Sequence, residues 1–189
     1  MGKTVFVALS GGVDSAAAAI LLMEHGYTVR GVTLRLKPDN LADKDIEDAK
    51  AVADTLGIPL DVLDMREEFK KITDYFCREY LEGRTPNPCV FCNPTIKLGL
   101  LLDYVKEQGG DLLATGHYAK VEYSEKYNQY VLKKSDSISK DQTYFLYGIN
   151  KEVLPHMLLP LQGFEEKEDV RKIAKNNNLD IAEKTDSQE

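Results

Sequence analysis

Two short segments of the sequence carry the side chains best suited to chemistry: a glycine loop and a pair of cysteines. The glycine loop, Ser10-Gly-Gly-Val-Asp-Ser15, follows an apolar run and precedes an alanine-rich one. This order predicts a buried strand, a tight turn and the start of a helix. Glycines let a backbone approach an anion closely, and a helix start offers unpaired N–H groups at a positive dipole end. The loop is therefore predicted to bind phosphate groups.

The loop matches neither of two common phosphate-binding motifs. No Gly-Lys-Ser/Thr closes it, which excludes a Walker A loop, and Gly-x-Gly-x-x-Gly is absent, which excludes a Rossmann fingerprint. The hydroxyls of Ser10 and Ser15 are suited to donate hydrogen bonds to phosphate oxygens. Asp14 has two compatible roles at this stage: it binds a Mg²⁺ ion that bridges phosphate oxygens, or it caps the helix.

The cysteine pair, Cys89 and Cys92, follows the proline-containing segment Gly83-Arg-Thr-Pro-Asn-Pro88. A nucleophilic cysteine reacts as the thiolate, which is favoured between a stiff loop and a helix start, so Cys92 is predicted to be reactive. Cys89 is either a resolving thiol or, with Cys92, one of two ligands to a metal ion or an iron–sulfur cluster. Two cysteines at this spacing are half of such a site. Cys77 falls on an apolar helix face and is predicted to be core.

Alternating apolar segments predict the elements that position these side chains. The predicted strands are 4–9, 27–36, 60–63 and 111–115, and the predicted helices are 16–25, 43–56, 66–81, 95–106 and 167–178. Residues 38–40 and 83–89 are predicted loops. Strands that alternate with helices predict an α/β fold with a doubly wound parallel sheet. Ligands of such sheets bind beyond the carboxyl ends of the strands, where Ser10, Leu34 and Gly116 fall.

The pattern changes after residue 117. Residues 118–131 alternate in polarity around a Tyr-Asn-Gln turn, which predicts a β-hairpin inserted outside the parallel core. The expected organisation is one domain over residues 1–150, with the hairpin near 118–133, followed by a small helical part. That part, residues 151–189, is expected to begin a helical linker or second domain that is cut short.

Composition is ordinary for a soluble globular chain. The 189 residues are 43% hydrophobic, carry a formal net charge of −7 and include three cysteines. We expect a cytoplasmic location, because the odd cysteine number fits a reducing compartment and no apolar segment is long enough for a membrane span. Several lysines make the middle of the chain locally positive, which suits either a polynucleotide or a solvated hairpin face. These are Lys120, Lys126, Lys133, Lys134 and Lys140.

Five segments together resemble a known family. The Ser10–Ser15 loop alone resembles the PP-loop of the ATP pyrophosphatases, which split ATP between its α- and β-phosphates. With GRTPNPCVFCN (residues 83–93), IKLG (96–99), ATGHYAK (114–120) and KDQTYFLY (140–147), the chain resembles the N-terminal part of the tRNA-specific 2-thiouridylase family. The resemblance covers essentially the whole chain. It implies a PP-loop fold, similar to that of the adenine nucleotide α-hydrolases, and an enzyme that uses ATP and tRNA.

The reaction implied by the resemblance is sulfur insertion at C2 of the wobble uridine in tRNA. ATP, taken with Mg²⁺, adenylates the uracil O2, and sulfur from a persulfide donor protein then displaces AMP. Cys92 falls on the family's first catalytic cysteine, with Cys89 beside it. Asn87, Pro88 and Cys89 fall where the family's loop meets the target base, and Lys140, Asp141 and Gln142 fall on a segment that contacts tRNA. The positions that fall on the ATP site are Ala8, Leu9, Ser10, Gly11, Gly12, Val13, Asp14, Ser15, Leu34 and Gly116.

Three departures from the family pattern leave the function open. Many members carry an acid where this chain has Cys89, and Arg35-Leu-Lys-Pro38 replaces an aromatic segment. The family's second catalytic cysteine lies beyond Glu189, so we expect an N-terminal fragment, or a short paralogue completed by a partner chain. Two other readings remain: a PP-loop enzyme that adenylates or thiolates a small molecule, and a non-catalytic module that binds ATP or tRNA and needs another subunit.

Overall fold

The sheet at the centre of the molecule is parallel and has five strands. The computed structural model describes residues 2–37 and 39–183, with the backbone alone for residues 39–43 and 182–183. Its strands are β1 (Thr4–Ala8), β2 (Thr28–Arg35), β3 (Leu60–Asp64), β4 (Leu112–Ala114) and β7 (Met157–Leu158). They lie in the order β3-β2-β1-β4-β7, and neighbouring strands all run parallel. A separate antiparallel pair is formed by β5 (Ala119–Ser124) and β6 (Gln129–Lys134).

Helices connect the strands and cover both faces of the sheet. The α-helices are α1 (Val13–Glu24), α2 (Asp39–Leu56), α3 (Arg66–Leu81), α4 (Pro88–Cys92), α5 (Leu101–Glu107), α6 (Thr143–Leu146) and α7 (Lys167–Asn176). A π-helical stretch, Asn93–Leu100, joins α4 to α5, and 3₁₀ turns span Lys151–His156 and Asp180–Glu183. No helix in the described residues is long and apolar enough to cross a membrane.

The pleat of β1 explains why both faces need covering. Val5 and Val7 are fully buried in a cluster that includes residues of α1, α2 and α7. Phe6 points to the opposite face, into a second cluster with residues of α5 such as Leu101 and Val105. A strand that is apolar on both faces reads as a continuous apolar run, which is the pattern of a central parallel strand. The predicted doubly wound α/β fold and the hairpin insertion are confirmed.

Helix boundaries in two loop regions differ from the predictions. The predicted loop over residues 38–40 is wrong at Asp39 and Asn40, where α2 begins; Pro38 lies outside the described residues. The predicted loop over residues 83–89 ends at Asn87, because Pro88 starts α4. Proline is well suited to the first turn of a helix, where its missing N–H has no partner to lose.

The prediction that Cys77 belongs to the hydrophobic core is wrong. Cys77 lies on the solvent-exposed side of α3, whereas Cys92 is buried. The apolar face of α3 is narrower than the sequence suggested, since Ile72 is its one buried residue.

Residues beyond 150 share the core of the sheet. Leu113 and Ala114 of β4 pair with Met157 and Leu158 of β7. Helix α7 packs along α1, and Ala174 lies in the same buried cluster as β1 and α1. Residues beyond 150 thus contribute to the same sheet and core as the residues before them, and the expected domain boundary at residue 150 stays a prediction.

Candidate functional site at the carboxyl edge of the sheet

The glycine loop turns sharply between β1 and α1. Gly11 has a φ of 73°, in the left-handed region that favours glycine. A Cβ on Gly11 would lie 2.6 Å from Asp48 Cβ and 3.0 Å from the Asp45 carbonyl oxygen, both on α2. Backbone conformation and close packing therefore both require glycine at this position.

Two serine hydroxyls hold the loop in shape. Ser15 is buried, and its Oγ donates to the Gly12 carbonyl at 3.0 Å, while the Ser10 amide donates to Ser15 Oγ at 3.2 Å. The Ser10 and Ser15 hydroxyl oxygens are 3.3 Å apart. Helix α1 begins at Val13, and its first backbone bond runs from the Ala16 amide to the Gly12 carbonyl. The amides of Val13, Asp14 and Ser15 thus have no acceptor inside the helix, which leaves them available to an anion.

The other predicted nucleotide-site residues surround this loop. Leu9 and Val13 are buried apolar side chains, Ala8 is half-buried, and the Leu9 amide bonds the Val32 carbonyl at 2.8 Å. Their contribution to a ligand would come through the backbone. Leu34 is half-buried near the carboxyl end of β2.

Gly116 brings the end of β4 against the glycine loop. A Cβ at this position would lie 2.9 Å from both the Asp14 carbonyl carbon and the Ser15 amide nitrogen. These are backbone atoms, which cannot move aside without shifting the first turn of α1. Glycine at 116 therefore allows the segment after β4 to lie close to the first turn of α1. This agrees with its predicted place at the carboxyl edge of the sheet.

Asp14 contacts two residues that the sequence analysis did not assign to the site. Its Oδ1 accepts a hydrogen bond from the Tyr118 hydroxyl at 2.9 Å, and its Oδ2 is 3.2 Å from the Lys167 ammonium. Tyr118 lies within the ATGHYAK motif that carried the resemblance, so the motif was the available signal. The sequence predicts only that Lys167 begins a helix, and nothing in the spacing of apolar residues along that helix points to a functional site.

The donor set around Asp14 does not fit a resident Mg²⁺ site built from protein ligands alone. Both carboxylate oxygens already have partners, one of them a cation, and the described residues hold no group of three or more His, Cys, Asp or Glu side chains able to bind a metal. Mg²⁺ commonly binds through one or two carboxylates together with substrate phosphates. Asp14 as a Mg²⁺ ligand stays a prediction.

The cysteine pair sits on a helix that Asn87 caps. Asn87 Oδ1 accepts from the amides of Cys89 at 3.1 Å and Val90 at 3.4 Å, and Pro88 occupies the first helical position. Cys89 therefore lies in the first turn and Cys92 at the end of α4, not at a helix start as the sequence analysis expected. Residues three apart in a helix share one side, with Cβ atoms about 5–6 Å apart, so Cys89 and Cys92 lie on the same side of α4.

Cys92 lies in a buried cluster that reaches the sheet at the end of β2. It is 7% exposed and clusters with Ile72 of α3 and Ile96, and half-buried Leu34 packs against this cluster. Leu34 is the predicted nucleotide-site residue near the end of β2. The described residues supply two thiols at this place and no third ligand, so they do not fit an iron–sulfur cluster by themselves.

Of the three residues predicted to contact tRNA after the hairpin, only Lys140 is fully exposed. Asp141 Oδ1 accepts from the Ser135 amide at 2.9 Å and from the Thr143 hydroxyl at 2.7 Å. Gln142 Oε1 accepts from the Tyr118 amide at 3.0 Å. The acceptor oxygens of Asp141 and Gln142 are thus used inside the chain, which sequence reasoning did not anticipate.

Helix α6, which follows this segment, is tied to the cysteine helix. Asn93, next to Cys92, is 1% exposed, and its Nδ2 donates to the Phe145 carbonyl at 3.0 Å. His117, at the end of β4, shares a 2.8 Å hydrogen bond between its Nδ1 and the Thr115 hydroxyl. The glycine loop, the cysteine helix and the segment from 140 to 146 are therefore one contiguous region at the carboxyl edge of the sheet.

Comparison with known families gives this region a context. The family model described as "tRNA methyl transferase HUP domain" matches residues 3–189. The chain belongs to this family. Its membership confirms the resemblance carried by the five sequence motifs.

Curated relatives of this HUP domain are tRNA-specific 2-thiouridylases. That of Clostridioides difficile (strain 630) is 48% identical over 199 residues, which cover 100% of this chain and 55% of the relative. That of Treponema denticola is 49% identical over 193 residues, which cover 98% of this chain and 52% of the relative. The chain spans about half the length of the curated relatives it matches.

Solved structures with the same fold include a 4-thiouridine synthetase and a U34-tRNA thiolase. A 4-thiouridine synthetase in complex with RNA and ATP superposes with a TM-score of 0.63 at 17% identity, covering 97% of this chain and 43% of that one. The U34-tRNA thiolase NcsA of Methanococcus maripaludis, with its [4Fe-4S] cluster, gives a TM-score of 0.59 at 18% identity, covering 99% of this chain and 60% of that one. At these identities the likeness shows the fold.

Proposed function

We propose that this chain is the ATP-using part of a tRNA sulfurtransferase that converts the wobble uridine to 2-thiouridine. The observation that carries the proposal is that Leu34 packs against the buried cluster that contains Cys92, while its strand β2 lies next to β1, which leads into the glycine loop. A nucleotide loop and a sulfur-handling cysteine must meet on one base for this reaction. The family membership and the 2-thiouridylase relatives support the same assignment.

The substrate in the glycine loop would be ATP with its Mg²⁺. The amides at the start of α1, that of Ser15 included, and the hydroxyl of Ser10 would bind the phosphates, while the Ser15 hydroxyl, which donates to the Gly12 carbonyl, would hold the loop in shape. The uracil O2 would attack the α-phosphorus, and pyrophosphate would leave with the electron pair of the broken P–O bond. No Walker lysine supports cleavage between the β- and γ-phosphates.

Sulfur would enter in a second step. The outer sulfur of a donor protein's persulfide would pass to Cys92 and leave the donor as a thiolate. The Cys92 persulfide would attack C2, and AMP would leave with the adenylated oxygen. The thiolate of Cys89, on the same side of the helix, would then attack Cys92 Sγ, which breaks the sulfur–sulfur bond, forms a Cys89–Cys92 disulfide and leaves the outer sulfur on C2 as 2-thiouridine. An external dithiol would reduce this disulfide and restore both cysteines. Asn87 and Pro88 would bring the first turn of α4 to the target base. An iron–sulfur cluster would need further ligands from outside the described residues.

The partners that we propose follow from the length of the chain compared with its relatives. The chain spans about half the length of the relatives it matches, and further chain segments or a partner subunit would supply the rest of the tRNA-binding surface. Exposed Lys140 would contact the tRNA backbone. A cytoplasmic location is proposed with the tRNA substrate. The net charge of −7 favours a second candidate, an adenylating or sulfur-transferring enzyme for a small molecule.

Transfer of label from ATP to tRNA tests the assignment. Without a sulfur donor, label from the α-phosphate of ATP should appear on wobble-uridine tRNA, whereas label from the γ-phosphate should not. A tRNA with cytidine at the wobble position should take up none. Addition of a persulfide donor should replace the label by 2-thiouridine in nuclease digests. ATP turnover that is indifferent to tRNA would favour the small-molecule candidate instead.

A further inference from the structure

The backbone of Tyr118 is held from both sides by one residue. The Tyr118 amide donates to Gln142 Oε1 at 3.0 Å, and the Gln142 amide donates to the Tyr118 carbonyl at 2.8 Å. This pair joins residues 24 apart in sequence. Gln142 immediately precedes α6, so its position is fixed by a helix as well as by these two bonds.

The side chain of Tyr118 carries this constraint to the nucleotide loop. Its ring is 3% exposed and lies in a cluster with Ala17 of α1, Leu161 and Val170. Ala17 is three residues after Asp14, on the same side of the helix. Packing at Ala17 therefore places the Tyr118 hydroxyl on Asp14 Oδ1 at 2.9 Å.

A second route links the same segment to Asp14. Asp141 Oδ1 accepts from the Ser135 amide, and the Ser137 hydroxyl donates to the Glu165 carbonyl at 3.0 Å. Two residues further along, the Lys167 ammonium contacts Asp14 Oδ2. Each oxygen of the Asp14 carboxylate is thus held by a contact that leads back to residues 141 and 142.

We infer that Gln142 is a positioning residue for the nucleotide loop, acting through Tyr118 on Asp14. Resting on the proposed function, this inference adds that the segment expected to touch tRNA also sets the geometry of the loop expected to bind ATP. Loss of the Gln142 acceptor leaves the buried Tyr118 amide without its partner, and an unsatisfied buried group favours a local shift. A shift of Tyr118 moves the hydroxyl that orients Asp14.

ATP binding without tRNA separates positioning from tRNA contact. Isothermal titration of Mg-ATP into the chain should show about tenfold weaker binding for Gln142→Leu and for Tyr118→Phe, the size expected for one hydrogen bond to a charged group. Gln142→Glu keeps an acceptor oxygen and should bind ATP within about threefold of the unsubstituted chain. The double variant Tyr118→Phe with Gln142→Leu should bind no more weakly than the weaker single variant, because both act on one path. Gln108→Leu, an exposed glutamine after α5, is the matched control and should change nothing.

Hydrogen exchange in the nucleotide-free chain gives a test that does not need ATP. Gln142→Leu should speed exchange of the amides in residues 16–18 by about threefold or more, since the start of α1 loses its anchor, while Gln108→Leu should not. If the unsubstituted chain failed to bind ATP, the proposed function would fall, and the exchange result would still decide the inference. Unchanged exchange, or unchanged ATP binding by Gln142→Leu together with weaker tRNA binding, would overturn it and return Gln142 to a simple tRNA contact.

Discussion

The Tyr118 hydroxyl donates a 2.9 Å hydrogen bond to Asp14 Oδ1 across 104 residues of sequence. The bond joins the segment between β4 and β5 to the first turn of α1, at the edge where parallel sheets bind their ligands. With the Lys167 ammonium on the other carboxylate oxygen, it fixes the orientation of the one acid in the glycine loop. Both oxygens of the Asp14 carboxylate are therefore held by protein groups in the nucleotide-free chain.

Gly116→Ala should damage the nucleotide loop while Gly148→Ala should not. An added Cβ at 116 would lie 2.9 Å from backbone atoms of Asp14 and Ser15, whereas the nearest atoms at 148 are 3.8 Å away. Overpacking of this kind costs about 1–3 kcal/mol. Urea unfolding should show that loss for Gly116→Ala, and titration should show weaker ATP binding. Equal stability of the two variants would contradict the close approach.

The order of cysteine alkylation should follow burial in the native chain. Cys77 is exposed, Cys89 half-buried and Cys92 buried, so iodoacetamide should modify them in that order, since alkylation needs access as well as thiolate. Peptide mapping by mass spectrometry measures the order. This reverses what the sequence suggested for Cys77 and Cys92. Modification of Cys92 ahead of Cys77 would mean that α4 opens in solution.

The same cysteines should differ in function. Cys92→Ser should abolish sulfur insertion, because the proposed sulfur carrier is lost, and Cys77→Ser should leave it unchanged, because that thiol lies on the far exposed side of α3. Quantification of 2-thiouridine after nuclease digestion measures both. A Cys77→Ser variant as inactive as Cys92→Ser would remove the basis for assigning the sulfur chemistry to α4.

Lys140→Ala should weaken tRNA binding and leave ATP binding intact. The residue is exposed and carries the one cation of the 140–142 segment. If it contacts a phosphate, its loss should reduce the slope of log K against log salt by about one. Filter binding from low to moderate salt measures the slope, with exposed Lys106→Ala of α5 as the control. An unchanged slope would place Lys140 away from the RNA.

Arg84, in the loop before α4, donates hydrogen bonds to the Glu79 carboxylate of α3. Hydrogen bonds from the Arg84 guanidinium hold the pKa of the Glu79 carboxyl below its ordinary value. A lowered carboxyl pKa stabilises the folded loop above the unfolded-state pKa, and this contribution is lost as the pH falls through the folded-state value. Carboxyl-carbon NMR titration should show the Glu79 pKa returning toward the ordinary range in Arg84→Leu. Arg78→Leu, which removes a more distant charge, should move it less.

The sequence predicted the fold well because periodicity reports burial directly. The run from Thr4 to Leu9 is apolar on both faces, and the structure places it at the centre of the sheet. Helix α3 has the predicted bounds, Arg66–Leu81, because its apolar spacing is regular and Gly83 follows it. Strand β7, with two residues, is too short for any periodic signal.

The site was harder to predict because its contacts are long-range. The Lys167–Asp14 contact joins residues 153 apart, and no local pattern specifies such a pair. The burial of Cys92 depends on residues of other elements, such as Ile72 of α3, so its low exposure could not be predicted from the sequence around it. Motifs located the region, while tertiary packing decided which side chains face it.

The products of ATP cleavage test the central claim most directly. The chain should be incubated with Mg-ATP, wobble-uridine tRNA and a persulfide donor, and the nucleotides separated by chromatography. The account predicts AMP and pyrophosphate in equal amounts, with turnover lost in Asp14→Ala and kept in Asp103→Ala, an exposed acid of α5. Release of ADP and phosphate would contradict the assignment of residues 10–15 as a loop for cleavage between the α- and β-phosphates.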